Sequence, residues 1–426
     1  MARVAVQCAR WRQLAAIAVT VVALAATVPL SHAAPGGSSS RSKMTMGKVT
    51  LKPATFADLS GWQDDDHLAA FKTFLKSCDQ MLEARRATSK GSKASLVALV
   101  TACRAAKALK NPTRPTARAF FEAQFVPHHV AHKAGKGILT GYYEPVLKGA
   151  RTPHGRFKTP IYRRPPDLVN VVPETKRGAT GRRFTHMRKT AAGLVPYPTR
   201  DQIDRGALAG QGLELLYLAD PVDAFFMHIQ GSGRIDLTNG KSIRISYDGK
   251  NGHPYSSIGK YLVRTRQFPA DKVSLQSLRK WLRADRARGQ KVMWKNASFI
   301  FFRELRGPEA EGALGAMSVT LTSGRSLAVD TAYHTLGTPI FVSAPRLKQA
   351  SKKGGFSRLM IAQDVGSAIK GPERGDIYYG SGDKAGRLAG TTNHPGNFFV
   401  LLPDTTKHAA QPGERLPWTK IEKAAR

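Results

Sequence analysis

Between Ser298 and Pro403 the chain is cut into short apolar runs by glycine and proline: Phe299 to Glu304, Ser318 to Leu321, Ser326 to Val329, Pro339 to Val342, Arg358 to Gln363, Asp376 to Tyr379 and Phe398 to Leu402. Each run is too short for a stable helix and the right length for a strand. Many short strands separated by glycine turns predict a closed or partly closed β-barrel.

Upstream the period changes. Behind the cap residues Asp64 and Asp65, the residues Leu68, Phe71, Phe74, Leu75, Cys78, Met81 and Leu82 recur at three- and four-residue steps, which predicts an amphipathic helix. Ser92 to Leu109 repeats the pattern, and a third short helix follows Thr116 to Phe125. Ile138 to Pro145 reads as a strand ending in a turn. From about 146 to 290 the chain is rich in Pro, Gly and Arg, with β-like runs at Thr159 to Arg163, Ala224 to Gln230 and Lys241 to Tyr247 and one helix over Pro269 to Arg288. That segment predicts a separate small β-rich module.

The N-terminus reads as an export signal: Arg3, Arg10 and Arg12 precede an uncharged run from Leu14 to Leu30, followed by small residues up to Ala34. Removing residues 1–34 also removes Cys8, leaving Cys78 and Cys103, which are either a disulfide or two buried thiols. Residues 35–54 read as a flexible linker and 404–426 as a loose basic tail. With 426 residues and 42% hydrophobic content the chain is no disordered protein. Its 66 Lys and Arg against 30 Asp and Glu give +36, which predicts an acidic polymeric partner. Export and the absence of RNA- or zinc-finger signatures argue against nucleic acid.

Three aspartates carry the chemistry: Asp330, Asp364 and Asp376, each at the end or start of a short β-like run flanked by glycine. Asp376 is the first candidate for a general acid, with Tyr378 and Tyr379 as aromatic faces and Gly380, Gly382 and Gly386 keeping the backbone bare for a large ligand. An aspartic acid that donates a proton near neutrality needs a raised pKa, which burial beside Asp364 would supply. The competing reading is that both aspartates merely accept turn hydrogen bonds. His128, His129 and His132 lack a carboxylate or cysteine to complete a metal site, so no metal and no cofactor is expected. The run Phe225 to Gly233 reads as an apolar strand delivering Gln230 and Ser232 onto a glycine turn.

Taken in order, Leu-Thr-Gly-Tyr-Tyr-Glu-Pro at 139–145, Phe-Met-His-Ile-Gln-Gly-Ser-Gly at 226–233, Asn-Gly-His-Pro-Tyr-Ser-Ser-Ile-Gly at 251–259, Arg-Ser-Leu-Ala-Val-Asp at 325–330 and the block 364–390 resemble the MltA family of lytic murein transglycosylases. The resemblance implies a mainly β fold with N-terminal helices. A double-psi β-barrel domain, from 55–145 plus 291–403, would carry a second β-rich domain inserted at 146–290. It implies Asp376 as sole catalytic acid/base, with Asp364 as catalytic partner, Asp330 in support, and Thr140, Tyr142, Gln230, Ser232, Tyr255 and Tyr378 on substrate-binding motifs. The reaction so implied cleaves the β-1,4 bond between N-acetylmuramic acid and N-acetylglucosamine of peptidoglycan and closes a 1,6-anhydro ring, with no second carboxylate to activate water. The expected partners are glycan strands and cell-wall synthesis or outer-membrane proteins, for a monomer that binds no nucleic acid. No cysteine follows the small residues near Ala34, so no lipobox is seen, and a periplasmic protein loosely associated with wall or outer membrane is expected. The alternatives are an ordinary glycoside hydrolase with Asp364 as base, or an inactive wall-binding barrel.

Overall fold

Strand propensity, burial and closure act together in the C-terminal part. In the computed structural model, which describes residues 49–87, 94–132, 137–172, 184–348 and 355–404, six strands form a barrel. They are β1 (Gly137–Glu144), β2 (Ser326–Val329), β3 (Pro339–Ala344), β4 (Phe356–Val365), β5 (Arg374–Ser381) and β6 (Asn393–Pro403). Their order is β6-β3-β4-β2-β5-β1, and β1 pairs back onto β6 to close the ring. The neighbours β2 and β4 are parallel, as are β5 and β1, while the remaining pairs are antiparallel. This is the closed barrel of the double-psi fold. Its interior is filled by Leu139, Leu327, Val329, Ile340, Met360, Ile377 and Phe398, all essentially solvent-free. Such a core stabilises through apolar area removed from water.

Three helices, His67–Ala87, Ala94–Ala108 and Arg114–Gln124, cover one side of the barrel. The third starts earlier than the sequence spacing predicts, because Thr113 caps it and Arg114-Pro115 fill its first turn. Phe71, Phe74, Phe120, Phe121 and Phe125 pack on Phe341, Leu359, Ile361 and Leu401 of the barrel. Cys78 and Cys103 form a disulfide between the first two helices, with Cα atoms 5.2 Å apart. Of the expected linker, Thr50–Pro53 is a strand paired with Phe125–Ala131, so order begins earlier than its composition suggested. Ser318 to Leu321 contributes one isolated bridge, Leu314 to Thr320, rather than a strand.

A second six-stranded sheet runs in the order Ile300–Glu304, Ser242–Lys250, Ser232–Leu237, Val146–Ala150, Glu214–Leu218, Thr159–Tyr162. Strand Ile300–Glu304, grouped by sequence with the C-terminal barrel, belongs here, because it pairs with Ser242–Lys250. The run Ala224 to Gln230 is a helix, Pro221–Gln230, and not a strand. Asp220 caps it through the amide of Val222, and Gly231 at φ 82° ends it. It is largely apolar because both faces are buried: Ala224 and Met227 lie against the sheet, Phe225 and Phe226 against further helices, and Asp223 is paired with Arg279 and Arg283. The single helix expected over Pro269 to Arg288 is two, Leu275–Ala284 and Arg286–Met293. Asp285 ends the first and caps the second. The helix Ile258–Arg264 has no counterpart in the sequence reading.

No described helix is long and apolar enough to cross a membrane. The expected signal, 1–34, and nearly all of the expected tail lie outside the described residues.

Candidate active site

The barrel brings Asp364 and Asp376 to opposite sides of one small residue. Ala328 of β2 is in register with Asp364 on β4 and with Asp376 on β5. Between Leu327 and Ala328 the pairing with β4 skips Gln363. The skip is a β-bulge, and it reorients the side chains that follow it. Gln363 therefore turns to the helices, where it meets Thr73 and Ser77, while Asp364 turns the other way, to Tyr142, where the charge of Asp376 is also felt.

On the neighbouring parallel strand β1, Thr140 lies in register with Asp376 and Tyr142 with Tyr378. The Thr140 hydroxyl donates to Asp376 Oδ1, and Arg374 Nη2 donates to Thr140 Oγ1 at 2.8 Å. A threonine hydroxyl has one proton. With the guanidinium donating to its oxygen, the hydroxyl points its proton at Oδ1, an arrangement that favours Oδ2 as the oxygen carrying the proton of a protonated Asp376. Burial raises the Asp376 carboxyl above its ordinary value, opposed by the Thr140 hydrogen bond and the Arg374 charge.

Asp364 is held differently. Its Oδ2 accepts from the Tyr142 hydroxyl at 2.8 Å, and its Oδ1 accepts from the amides of Ala316 and Val365, both at 2.9 Å. Burial pushes its carboxyl up to about 6 against those three donors, with a smaller upward push from Asp376. Tyr142 and Tyr378 stand with ring centroids 5.3 Å apart beside the pair. Burial also drives the Tyr142 hydroxyl well above its usual range, so it remains a donor to Asp364.

Asp330 has a separate task. Its carboxylate accepts from the amides of Gly371 (2.9 Å) and Ala332 (3.2 Å), with Lys370 at 3.6 Å, tying down the loop before β5. Among the described residues no hydrogen bond joins it to the other two aspartates. Gln230 ends its helix against the barrel, its Oε1 accepting from the Tyr143 amide at 3.0 Å. Ser232 is buried at the start of Ser232–Leu237, and Tyr255 lies beside Ser257 and Arg200 within the second sheet's surroundings. Gly382 and Gly386, expected to leave bare backbone, lie in a helix, Gly382–Thr391. His128 binds the Val126 carbonyl, His129 stacks on Phe399 and His132 meets Glu373 at 3.0 Å. Among the described residues no group of His, Cys, Asp or Glu is placed to hold a metal.

Sequence reasoning missed Arg374, Glu144 and Arg244. The first was within reach, because Arg374 and Asp376 share a strand face at two-residue spacing. Glu144 is fully buried at the end of β1, where it takes the Arg244 guanidinium at 3.1 Å and the Ser381 hydroxyl. One hundred residues separate that ion pair in sequence, and nothing local announces it.

Residues 138–303 match the model of the MltA specific insert domain, and residues 325–402 match that of the 3D domain. Membrane-bound lytic murein transglycosylase A of Escherichia coli strain K12 is 36% identical over 276 residues, which are 64% of this chain and 67% of that protein. The chain belongs to the MltA family. Its Vibrio cholerae member is 32% identical over 67% of this chain and 71% of its own length. A crystal structure of the membrane-bound lytic murein transglycosylase from Agrobacterium tumefaciens superposes with a TM-score of 0.76 at 36% identity, covering 84% of this chain and 99% of that one. The E. coli MltA structure with bound chitohexaose reaches 0.58 at 28% identity, covering 83% and 91%. MltA members thus share with this chain the barrel, the helices and the inserted sheet.

Proposed function

We propose that this chain is a peptidoglycan lytic transglycosylase that cleaves the β-1,4 bond between N-acetylmuramic acid and N-acetylglucosamine and leaves 1,6-anhydromuramic ends, with Asp376 as its only acid and base. The observation that carries this is the asymmetry of the two carboxyls. Asp364 is engaged by three donors, whereas Asp376 accepts one hydrogen bond at Oδ1 and has no donor at Oδ2 among the described residues. Oδ2 is then the atom that gives a proton to the bridging oxygen. The glycosyl centre passes through an oxocarbenium-like state, and the same oxygen takes the proton of the muramic acid C6 hydroxyl as that hydroxyl attacks C1. Because the nucleophile belongs to the substrate, its effective concentration is high and no water-activating carboxylate is required. A hydrolase would need an oxygen of Asp364 open to a water, and three donors already occupy both of its oxygens.

Asp364 acts through Tyr142, and Arg374 through Thr140. Tyr378, expected to offer a ring to a sugar, is buried with Tyr142, Ala313 and Ala328 and backs the aspartate pair instead, and Gln230, Ser232 and Tyr255 belong to the inserted half. The barrel with its helices, residues 55–145 and about 307–403, and the insert, about 146–306, are proposed as two domains. The bound chitohexaose of the E. coli relative supports a saccharide chain as ligand. The relatives are named membrane-bound, which supports work at a membrane; export and a place at the wall or outer membrane belong to the same proposal. Whether wall-synthesis proteins also bind the chain is part of the same proposal.

The test is mass spectrometry of muropeptides released from sacculi by the full chain and by Asp376→Asn. Anhydromuramyl ends from the wild type and none from the variant are expected. Reducing ends would favour the hydrolase, and lysis by Asp376→Asn would remove Asp376 from its role.

A further inference from the structure

The second sheet curls until its outer strands meet at one bridge, Arg163 to Phe302. Beside that seam lies an open cavity of about 680 Å³, well within the size range of small-ligand sites. Its lining comes wholly from residues 151–306, so it is separate from the barrel aspartates. Five guanidinium groups line it, those of Arg151, Arg163, Arg164, Arg303 and Arg306, against the carboxylates of Glu214, Asp248 and Glu304.

Two of the five are spoken for. Arg151 pairs with Glu304 at 2.8 Å, and Arg303 is bidentate to Glu309 at 2.7 and 3.0 Å. The others make no ion pair among the described residues. Arg163 donates to the Glu214 carbonyl at 3.3 Å, and Arg306 is exposed. Arg164 is built into place. The strand Ser242–Lys250 bulges between Tyr247 and Gly249, and the guanidinium lies so close to Gly249 (φ 152°) that a Cβ there would come within 3.2 Å of Arg164 Nη1. It donates to the carbonyls of Asp248 and Leu168, both at 3.0 Å. Asp248 sits near Arg164 and Arg303, and burial raises its carboxyl. Counting Glu309, five cations face four anions; the Arg164 fork is filled by two carbonyls, which leaves Arg163 and Arg306 as the guanidinium groups with donors to offer and no carboxylate partner among the described residues.

Guanidinium groups with free donors suit a carboxylate, and here Arg163 and Arg306 flank a fixed Arg164. We propose that this seam cavity binds a free carboxylate of the peptide stems carried by the glycan. The proposal rests on the peptidoglycan reading above and adds to it a second, stem-reading site on the insert. In this assignment the glycan is processed at the barrel while the insert holds a neighbouring stem, so the cavity affects substrate capture and leaves the chemical step alone.

The full chain is compared with Arg163→Gln/Arg306→Gln, and with Arg306→Gln alone as an exposed change that keeps the fold, with melting temperatures alongside. A fluorescently labelled stem peptide with free carboxylates, and the same peptide amidated, are titrated by anisotropy. The acid peptide should bind the wild type, the amide should not, and the double variant should lose the acid peptide. KM on stem-bearing sacculi should rise about threefold to tenfold, the size of one partly exposed charged hydrogen bond. KM on glycan stripped of stems by an amidase, and kcat on both, should not move. Equal binding of acid and amide, undiminished binding by the double variant, or an equal KM rise on stripped glycan overturns the proposal. Absence of anhydromuramyl product from the wild type on stem-bearing sacculi as well as on stripped glycan would instead sink the transglycosylase reading, and the peptide arm separates the two failures.

Discussion

Two polar clusters meet on β4, one on each side of the bulge at Gln363, the helix-side one buried and the aspartate pair half-buried, and they are finished to different degrees. Toward the helices, Arg325 is bidentate to Asp65 at 2.8 and 2.7 Å, and Asp65 also accepts from the amides of Leu359 and Asp66. Gln363 there accepts from Ser326 and donates to Thr73 and Ser77. The carboxylate of Asp65 and the amide of Gln363 are thus fully engaged, while the neighbouring buried His67 keeps one ring nitrogen without a partner among the described residues. On the other side, Asp364 is likewise held by three donors, but Asp376 is held at one oxygen only. A buried polar group without a partner costs free energy, so structural clusters close their hydrogen-bond loops. Asp376 Oδ2, on a half-buried carboxyl, is the oxygen of the aspartate pair left without a donor among the described residues, and it is the proposed point of contact for a reacting atom.

If that contrast is right, substitutions in the two clusters fail in different ways. Asp376→Asn should lower kcat by about 10³- to 10⁴-fold, the upper range for a general acid. Because the folded state raises the Asp376 carboxyl, its ionised form disfavours folding near neutrality. The variant should therefore melt no lower than the wild type. A large drop in melting temperature would place Asp376 with the structural cluster and erase the distinction. Asp65→Ala should do the reverse. Stranding the Arg325 guanidinium in a nearly solvent-free site should cost about 3 to 5 kcal/mol of stability, read by urea denaturation, while the folded fraction keeps its turnover. The same helical side predicts a smaller loss for Cys78→Ser, about 2 to 4 kcal/mol, again with kcat intact. A turnover defect in either would show that the helices reach into the catalytic chemistry.

How much of this was legible differs between the clusters for physical reasons. Barrel strands could be read because glycine and proline cut their runs sharply, and Asp364 and Asp376 stood out because a carboxyl beside glycine in a strand needs a reason. The helix Pro221–Gln230 was misread because burial on both faces removed the periodicity that separates helix from strand. The break at Asp285 was missed because one residue serves as both stop and cap, which leaves the apolar stripe unbroken. Long-range ion pairs such as Asp65 to Arg325 and Glu144 to Arg244 left no local trace. Asp330 was placed in a trio by its position after a strand, yet its bonds go to the loop amide of Gly371. Distinguishing it from Asp376 required knowing which oxygens were already taken.

The smallest effect tests the relay itself. Arg374 opposes the burial-driven rise of the Asp376 carboxyl, so Arg374→Gln should raise that carboxyl further. Activity requires the protonated acid and falls as pH rises through its pKa, so the alkaline limb of kcat against pH should move to higher pH. The sign is the same for Thr140→Val, which removes a hydrogen bond favouring the charged form. The two variants differ in the proton's address. Without the Thr140 hydroxyl, Oδ1 is no longer obliged to accept, the proton can sit on either oxygen, and kcat at the optimum should fall more than for Arg374→Gln. The latter should change it by less than about tenfold, the scale of one screened charge. Arg374→Lys keeps the charge but loses the fork, so its limb should stay near the wild-type position. A limb that moves to lower pH in Arg374→Gln, or equal optima in both variants, would mean that the guanidinium does not act through Thr140 and that Asp376 chooses its protonated oxygen unaided.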